Sequence, residues 1–239
     1  MNIFAMADLH LSGSVDKPMD VFGPRWNNHT EKMRSNWDRI VNPDDVVIIS
    51  GDVSWGLKLS EAVPDFDWIH ERPGRKIITR GNHDLWWTTL KKMNAIHEDI
   101  IFLQNNSVMA GNTAVCGTRG WMLHYPGQDW TEHDEKIFRR ELIRLRLALD
   151  SASERGASKI ILSLHYPPTD SRGSETPVTE IIDQYDVSCV LYGHLHGDEA
   201  EKHAFRGKIK GTEYRLVSSD TVGFVPQLIL SERSIDNEI

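Results

Sequence analysis

Seven side chains in this sequence, Asp8, His10, Asp52, Asn82, His165, His194 and His196, could each offer a metal ion one oxygen or one imidazole nitrogen. No thiolate stands among them. Such a set suits Mn, Fe, Co or Zn better than Cu(I) or a structural cysteine-rich zinc. Seven donors exceed the needs of one tetrahedral ion. Two ions sharing a bridging carboxylate are the natural count, and such a pair, roughly 3.5–4 Å apart, holds a phosphoryl oxygen and activates a water.

The spacing of these residues follows the apolar runs. Ile3–Ala7 precedes Asp8-Leu9-His10, and Val46–Ile49 precedes Ser50-Gly51-Asp52. Lys76–Thr79 precedes Arg80-Gly81-Asn82-His83-Asp84, Lys159–Leu164 precedes His165, and Ser188–Tyr192 precedes Gly193-His194-Leu195-His196. Runs this short, rich in Val and Ile and bounded by turn residues, predict buried strands. Thr113–Cys116 is another. In open α/β sheets, ligands bind at the carboxyl ends of the strands. An extended chain turns residues i and i+2 to one side. Asp8 with His10, and His194 with His196, would then share a side, with Leu9 turned to the core. Glycines 51, 81 and 193 suit sharp turns or close approach.

Between the strands lie helical patterns at Thr30–Val41, Leu85–His97 and Glu132–Arg155. In the last, Phe138, Leu142, Leu145, Leu149 and Ala152 form one apolar stripe, Thr131 and Asp134 can cap the start, and Gly156 can end it. Strand and helix alternation predicts α/β with part of the sheet parallel. The tail from Lys208 to Leu230 predicts strands that complete a sheet. Leu11–Asn28 and Pro167–Pro177 are the long loops. With no repeat or linker, a single domain over residues 1–239 is expected.

Lys+Arg 27 against Asp+Glu 35 leaves a formal charge of −8, which disfavours loose binding to nucleic acid or anionic membrane. No apolar run approaches the ~20 residues that span a bilayer. The two cysteines, Cys116 and Cys189, sit in apolar runs and predict buried free thiols. A cytoplasmic location is expected.

The ordered set Asp8-x-His10, Gly51-Asp52, Gly81-Asn82-His83-Asp84, His165 and Gly193-His194-x-His196 resembles the signature of the calcineurin-like metallophosphoesterases. The resemblance implies α/β (α+β) architecture, a four-layer αββα sandwich of two mixed sheets flanked by helices, with the metal site at the carboxyl ends of the strands. It implies two transition-metal ions (Mn, Fe or Zn). Asp8, His10, Asp52 and His196 would hold one; Asp52, Asn82, His165 and His194 would hold the other. A hydroxide between them would attack phosphorus in line. His83 would protonate the leaving oxygen, and Asp84 would hold that imidazole. Gly51-Asp52-Val53-Ser54 lacks the Asp-Arg-Gly of the protein Ser/Thr phosphatase branch, so a bacterial-type phosphohydrolase is the closer match.

Several residues keep two readings. Asp84 can equally be the N-cap of the Leu85–His97 helix. Arg119 can offer its fork to a phosphate or form a surface salt bridge. Trp55, Trp86, Trp87 and Trp121 can wall the cleft and stack on a base, or pack in the core. The expected substrate is a mono- or diester of small or nucleotide size. A nuclease with the same chemistry, or a non-catalytic scaffold that binds a protein, are the alternatives. Oligomeric state is left open.

Overall fold

The computed structural model describes residues 1–124, 127 and 129–231. In chain order the strands and helices are β1 (Asn2–Met6), α1 (His29–Ile40), β2 (Val46–Ser50), α2 (Leu59–His70), β3 (Arg75–Thr79), α3 (Leu90–Met93), β4 (Ile100–Leu103) and β5 (Asn106–Ala110). Then come β6 (Thr113–Thr118), α4 (Glu132–Ser153), β7 (Lys159–Leu164), α5 (Pro177–Ile182), β8 (Val187–Tyr192), α6 (Asp198–Glu201), β9 (Gly207–Ile209), β10 (Thr212–Leu216) and β11 (Gln227–Ser231). One sheet runs β11-β1-β2-β3-β4 and the other β5-β6-β7-β8-β10-β9. Both are mixed: β1, β2, β3 and β4 pair parallel, as do β6, β7, β8 and β10, while β11, β5 and β9 are antiparallel additions.

Side-chain alternation explains the layers. In β1 and β2, Ile3, Ala5, Val46 and Ile48 meet Val115, Ile161, Cys189 and Leu191 of the other sheet. Their neighbours Phe4, Met6, Val47 and Ile49 face outward onto Met33 and Trp37 of α1 and Phe66 and Ile69 of α2. Leu162 and Val190 likewise face Leu145 and Leu149 of α4 and Ile182 of α5. Strands apolar on both faces are therefore required in the middle two layers, and the Val- and Ile-rich runs supply them. This is the expected αββα sandwich. Both cysteines are buried and free, and burial pushes each thiol up to about 12. No helix among the described residues is long and apolar enough to cross a membrane.

α4 keeps the expected cap: the Thr131 hydroxyl accepts the Asp134 N–H at 3.2 Å, and Gly156 turns left-handed at φ 65° beyond the end. The expected helix Leu85–His97 is corrected to the single turn of α3, whose N-cap is Thr89. Trp86 is buried with its indole N–H on Asp84 at 3.1 Å. That anchor pulls the chain into a turn where the helix would begin. At the other end the Asn94 side chain accepts the Phe102 N–H at 2.8 Å, which ends α3 against β4. Helix α2 was not foreseen, because Pro64 interrupts its pattern. It forms around Pro64 nonetheless: Glu61 reaches back to accept the Leu57 N–H at 2.8 Å, and Ala62, Phe66 and Ile69 bury one face in the core.

The tail closes both sheets. β11 pairs with β1, and β10 with β8. Just past β10, the Val217 N–H donates to Tyr192 O while Val217 O accepts the Ala7 N–H at 2.8 Å. This junction joins the two sheets at the end where the donor residues lie.

Candidate metal centre

Backbone bonds tie the end of β1 to that of β2, and the end of β7 to those of β6 and β8. Asp8 N–H donates to Gly51 O, His10 N–H to Asp52 O, and Leu11 N–H to Val53 O. His165 N–H donates to Arg119 O, and Gly193 N–H to His165 O. Asp8, His10, Asp52 and His194 all have left-handed backbone, with φ of 56°, 47°, 52° and 69°. The expectation of an extended i, i+2 device is therefore corrected. Leu9 is indeed buried in the core, but kinked backbone, not strand pleat, turns Asp8 and His10 inward. Non-glycine residues in this region carry strain, and such residues gather at functional sites.

The donors converge. Ligand atoms of Asp8, His10 and His196 lie within 4.8 Å of one another, as do those of Asp8, Asp52 and His165. Asp52 Oδ2 is 3.4 Å from His165 Nε2 and 3.9 Å from His10 Nε2. Asn82 Oδ1 is 2.7 Å from His165 Nε2 and 2.9 Å from His194 Nδ1. His194 and His196 are thus brought to the same place by β8, and the rings of His10 and His196 stand 5.3 Å apart.

The electrostatics suit a cation. The His165 Nδ1 faces Ser50 O at 3.0 Å, so this nitrogen donates, and Nε2 faces the oxygens of Asn82 and Asp52. The His10 Nε2 is buried without any hydrogen-bond partner. Burial holds His10 and His194 down to about 3, against the pull of Asp52, so both keep a neutral imidazole. Burial alone would lower His165 too, but the Asp52 carboxylate overrides it and raises it to about 9. Asp52 lies well below the usual carboxylate range, because His165 outweighs the burial that would raise it. Burial lifts Asp8 to about 6. An orphaned imidazole nitrogen, a buried carboxylate and neutral ring nitrogens aimed at one point fit a hard-to-borderline metal ion.

His83 lies at the edge of the cluster, its ring 4.6 Å from Trp55 and 5.8 Å from His10. Its backbone N–H donates to Asp52 Oδ1 at 2.8 Å. Burial also lowers its pKa. Asp84 corrects both expectations made of it. It caps no helix, and its carboxylate does not hold the His83 ring. It is fully buried and accepts the N–H groups of Gly81 at 2.7 Å, Val53 at 2.8 Å and Asp52 at 3.0 Å, besides the Trp86 indole. It clamps the two loops that carry Asp52 and Asn82. Asp84→Asn turns an amide NH₂ toward those donors. We expect a loss of about 1–3 kcal/mol, the cost of buried groups left unpaired, read as a lower midpoint in thermal melting. A variant that melts within about 1 °C of the parent would contradict the clamp.

Arg119 does not turn to the cluster. Its guanidinium lies 4.6 Å from the Trp121 ring and 3.9 Å from Glu141, an ion pair with a buried carboxylate and not the surface salt bridge expected. Its carbonyl, not its side chain, serves the site by accepting the His165 N–H. Trp55 stacks on His10 at 4.8 Å, whereas Trp86 and Trp87 pack with the helical core. Two neighbours were missed. Trp26 sets its edge 5.8 Å from His10 and 5.9 Å from His196, from a loop whose path carries no sequence signal. Tyr166 lies 4.3 Å from the His194 ring and could have been suspected, since it directly follows His165.

Fold and site together define an αββα sandwich with a buried nest of oxygen and imidazole donors at its strand ends. Residues 1–198 match the profile of the calcineurin-like phosphoesterases, and the chain belongs to that family. It is similar to the gene 66 protein of Mycobacterium phage D29, 36% identical over 84 residues, which is 35% of this chain and 40% of the phage protein. The gene 66 protein of Mycobacterium phage L5 is 32% identical over 83 residues, with the same shares. The matched part thus spans 40% of the length of these curated relatives. Among solved structures, the fold resembles a protein of unknown function, AQ665 from Aquifex aeolicus, with TM-score 0.51, 14% identity and 95% of each chain covered. It also resembles the phosphopantetheinyl hydrolase PptH from Mycobacterium tuberculosis, with TM-score 0.54 and 12% identity, covering 99% of this chain and 98% of that one.

Proposed function

We propose that this protein is a metal-dependent phosphoester hydrolase with a dinuclear centre, built as one domain. The observation that carries the reading is the convergence of five strand ends on one buried cluster, with Asp52 Oδ2 near both His10 and His165. Asp8, His10, Asp52 and His196 would hold one ion, and Asp52, Asn82, His165 and His194 the second. Such ions supply a Lewis-acid clamp on phosphoryl oxygens and an activated water. The chain's own residues do the rest. Ser50 O fixes the His165 ring, and the Asp84 clamp fixes the Asp52 and Asn82 loops. His83, exposed at the edge of the cluster, gives its ring proton to the leaving oxygen. Family membership and the hydrolase among the structural neighbours support this chemistry. Mn, Fe and Zn are the metals the donors suit. Two buried free thiols fit a reducing compartment, and we place the activity in the cytoplasm.

The test is hydrolysis of p-nitrophenyl esters by metal-stripped protein before and after Mn²⁺ is restored. Activity that returns with about two metal equivalents supports the reading. Restored metal with no turnover would sink it in favour of a non-catalytic scaffold. His83→Gln is expected to lower kcat about 10²-fold, at the low end of general acid catalysis, with metal content unchanged. The loss should shrink as the leaving group becomes more acidic, and a loss equal for alkyl and p-nitrophenyl esters would remove His83 from that role.

A further inference from the structure

Two clefts border the cluster and share no lining residue. The smaller, about 260 Å³, opens beside His83 between Trp55, Leu57 and Leu85, with Lys17 over the Trp55 ring. The larger, about 540 Å³, opens beside His194 and is walled by Tyr166, Leu123, Met122 and Leu195. They lie at opposite ends of the donor set. The smaller adjoins His10, on which Trp55 stacks at 4.8 Å; the larger adjoins His165 and His194, whose rings lie 5.5 and 4.3 Å from Tyr166.

Both clefts carry exposed apolar side chains where a phosphate alone would need none. Leu57 is 63% exposed, Leu85 58% and Met122 45%. Large apolar groups left open beside a polar centre mark where a ligand is covered. A monoester has one substituent and would fill one cleft. A diester has one on each side of phosphorus and fills both.

We infer that the substrate is a small phosphodiester, its leaving alcohol in the His83 cleft and an apolar or aromatic retained group in the His194 cleft. This rests on the phosphoesterase reading above. Water adds to phosphorus as the bond to the leaving oxygen breaks. His83 protonates that oxygen, the water's proton passes to solvent, and the products are an alcohol and the monoester of the retained group. The net charge of −8 disfavours a polyanionic strand as that diester.

The experiment compares p-nitrophenyl phosphate, methyl p-nitrophenyl phosphate and phenyl p-nitrophenyl phosphate on the Mn²⁺-replete protein. All three lose the same group, so the remaining substituent alone differs. Corrected for uncatalysed rates, kcat/KM for the phenyl diester should exceed both others by about tenfold or more, the effect of covering one ring. Met122→Glu should cut the phenyl-over-methyl preference to about threefold or less. Leu57→Glu, in the other cleft, should lower all three values and keep that preference. Equal values for the two diesters, or a monoester as fast as either, overturn the inference while leaving a phosphoesterase. No p-nitrophenol from any of the three ends both.

Discussion

Asp52→Asn is expected to lower phosphoester hydrolysis by at least about 10³-fold and to leave the protein with one metal equivalent instead of two. Asp52 Oδ2 is the carboxylate oxygen that faces both His10 and His165, at 3.9 and 3.4 Å. Its other oxygen is already taken by the His83 N–H. An asparagine keeps one oxygen and the shape but removes the charge that two cations would share. The lost charge stabilisation is worth several kcal/mol, and each 1.36 kcal/mol is about a factor of ten in rate. Metal content after dialysis, measured by mass spectrometry beside p-nitrophenol release, decides the matter. Two retained equivalents with activity within about tenfold of the parent would remove Asp52 from the bridge.

Gly81→Ala is expected to be the most damaging single-methyl change. A Cβ at Gly81 would stand 2.1 Å from Asp52 Oδ1 and 2.2 Å from the Asp52 backbone nitrogen. Nothing there is the free end of a flexible chain. The Asp52 loop has to move, and with it the N–H bonds that Asp84 collects from Gly81, Asp52 and Val53. Overpacking of this kind costs about 3 kcal/mol or more, which for a chain of this size lowers the melting midpoint by about 6–12 °C. The second metal equivalent should be lost with it, since Asn82 is the next residue. Melting within about 2 °C of the parent would show that the loops separate without cost.

What could be foreseen from the residues follows from burial. β2 is buried along its whole length and β7 on all but its first residue, so their apolar runs stand out without context. β5 does not stand out, because it is an edge strand with a mixed sequence, Asn-Ser-Val-Met-Ala. The donor residues were visible as types and order, since each lies just past a strand. Their backbone conformation was not, because φ near 50° at Asp8 and Asp52 is imposed by the loop pairing between them. The Asp84 clamp was equally hidden: its partners at 52 and 53 lie about thirty positions earlier in sequence. Trp26 reaches His10 and His196 from a loop that no periodicity describes.

The link from Ala7 through Val217 to Tyr192 has a bearing on synthesis. Asp8 and His10 are made before the rest of the cluster, yet Val217, which braces the neighbouring backbone at Ala7, comes more than two hundred positions later. Until Val217 is made, the Ala7 N–H and the Tyr192 carbonyl lack these partners beside the backbone that carries Asp8 and His194.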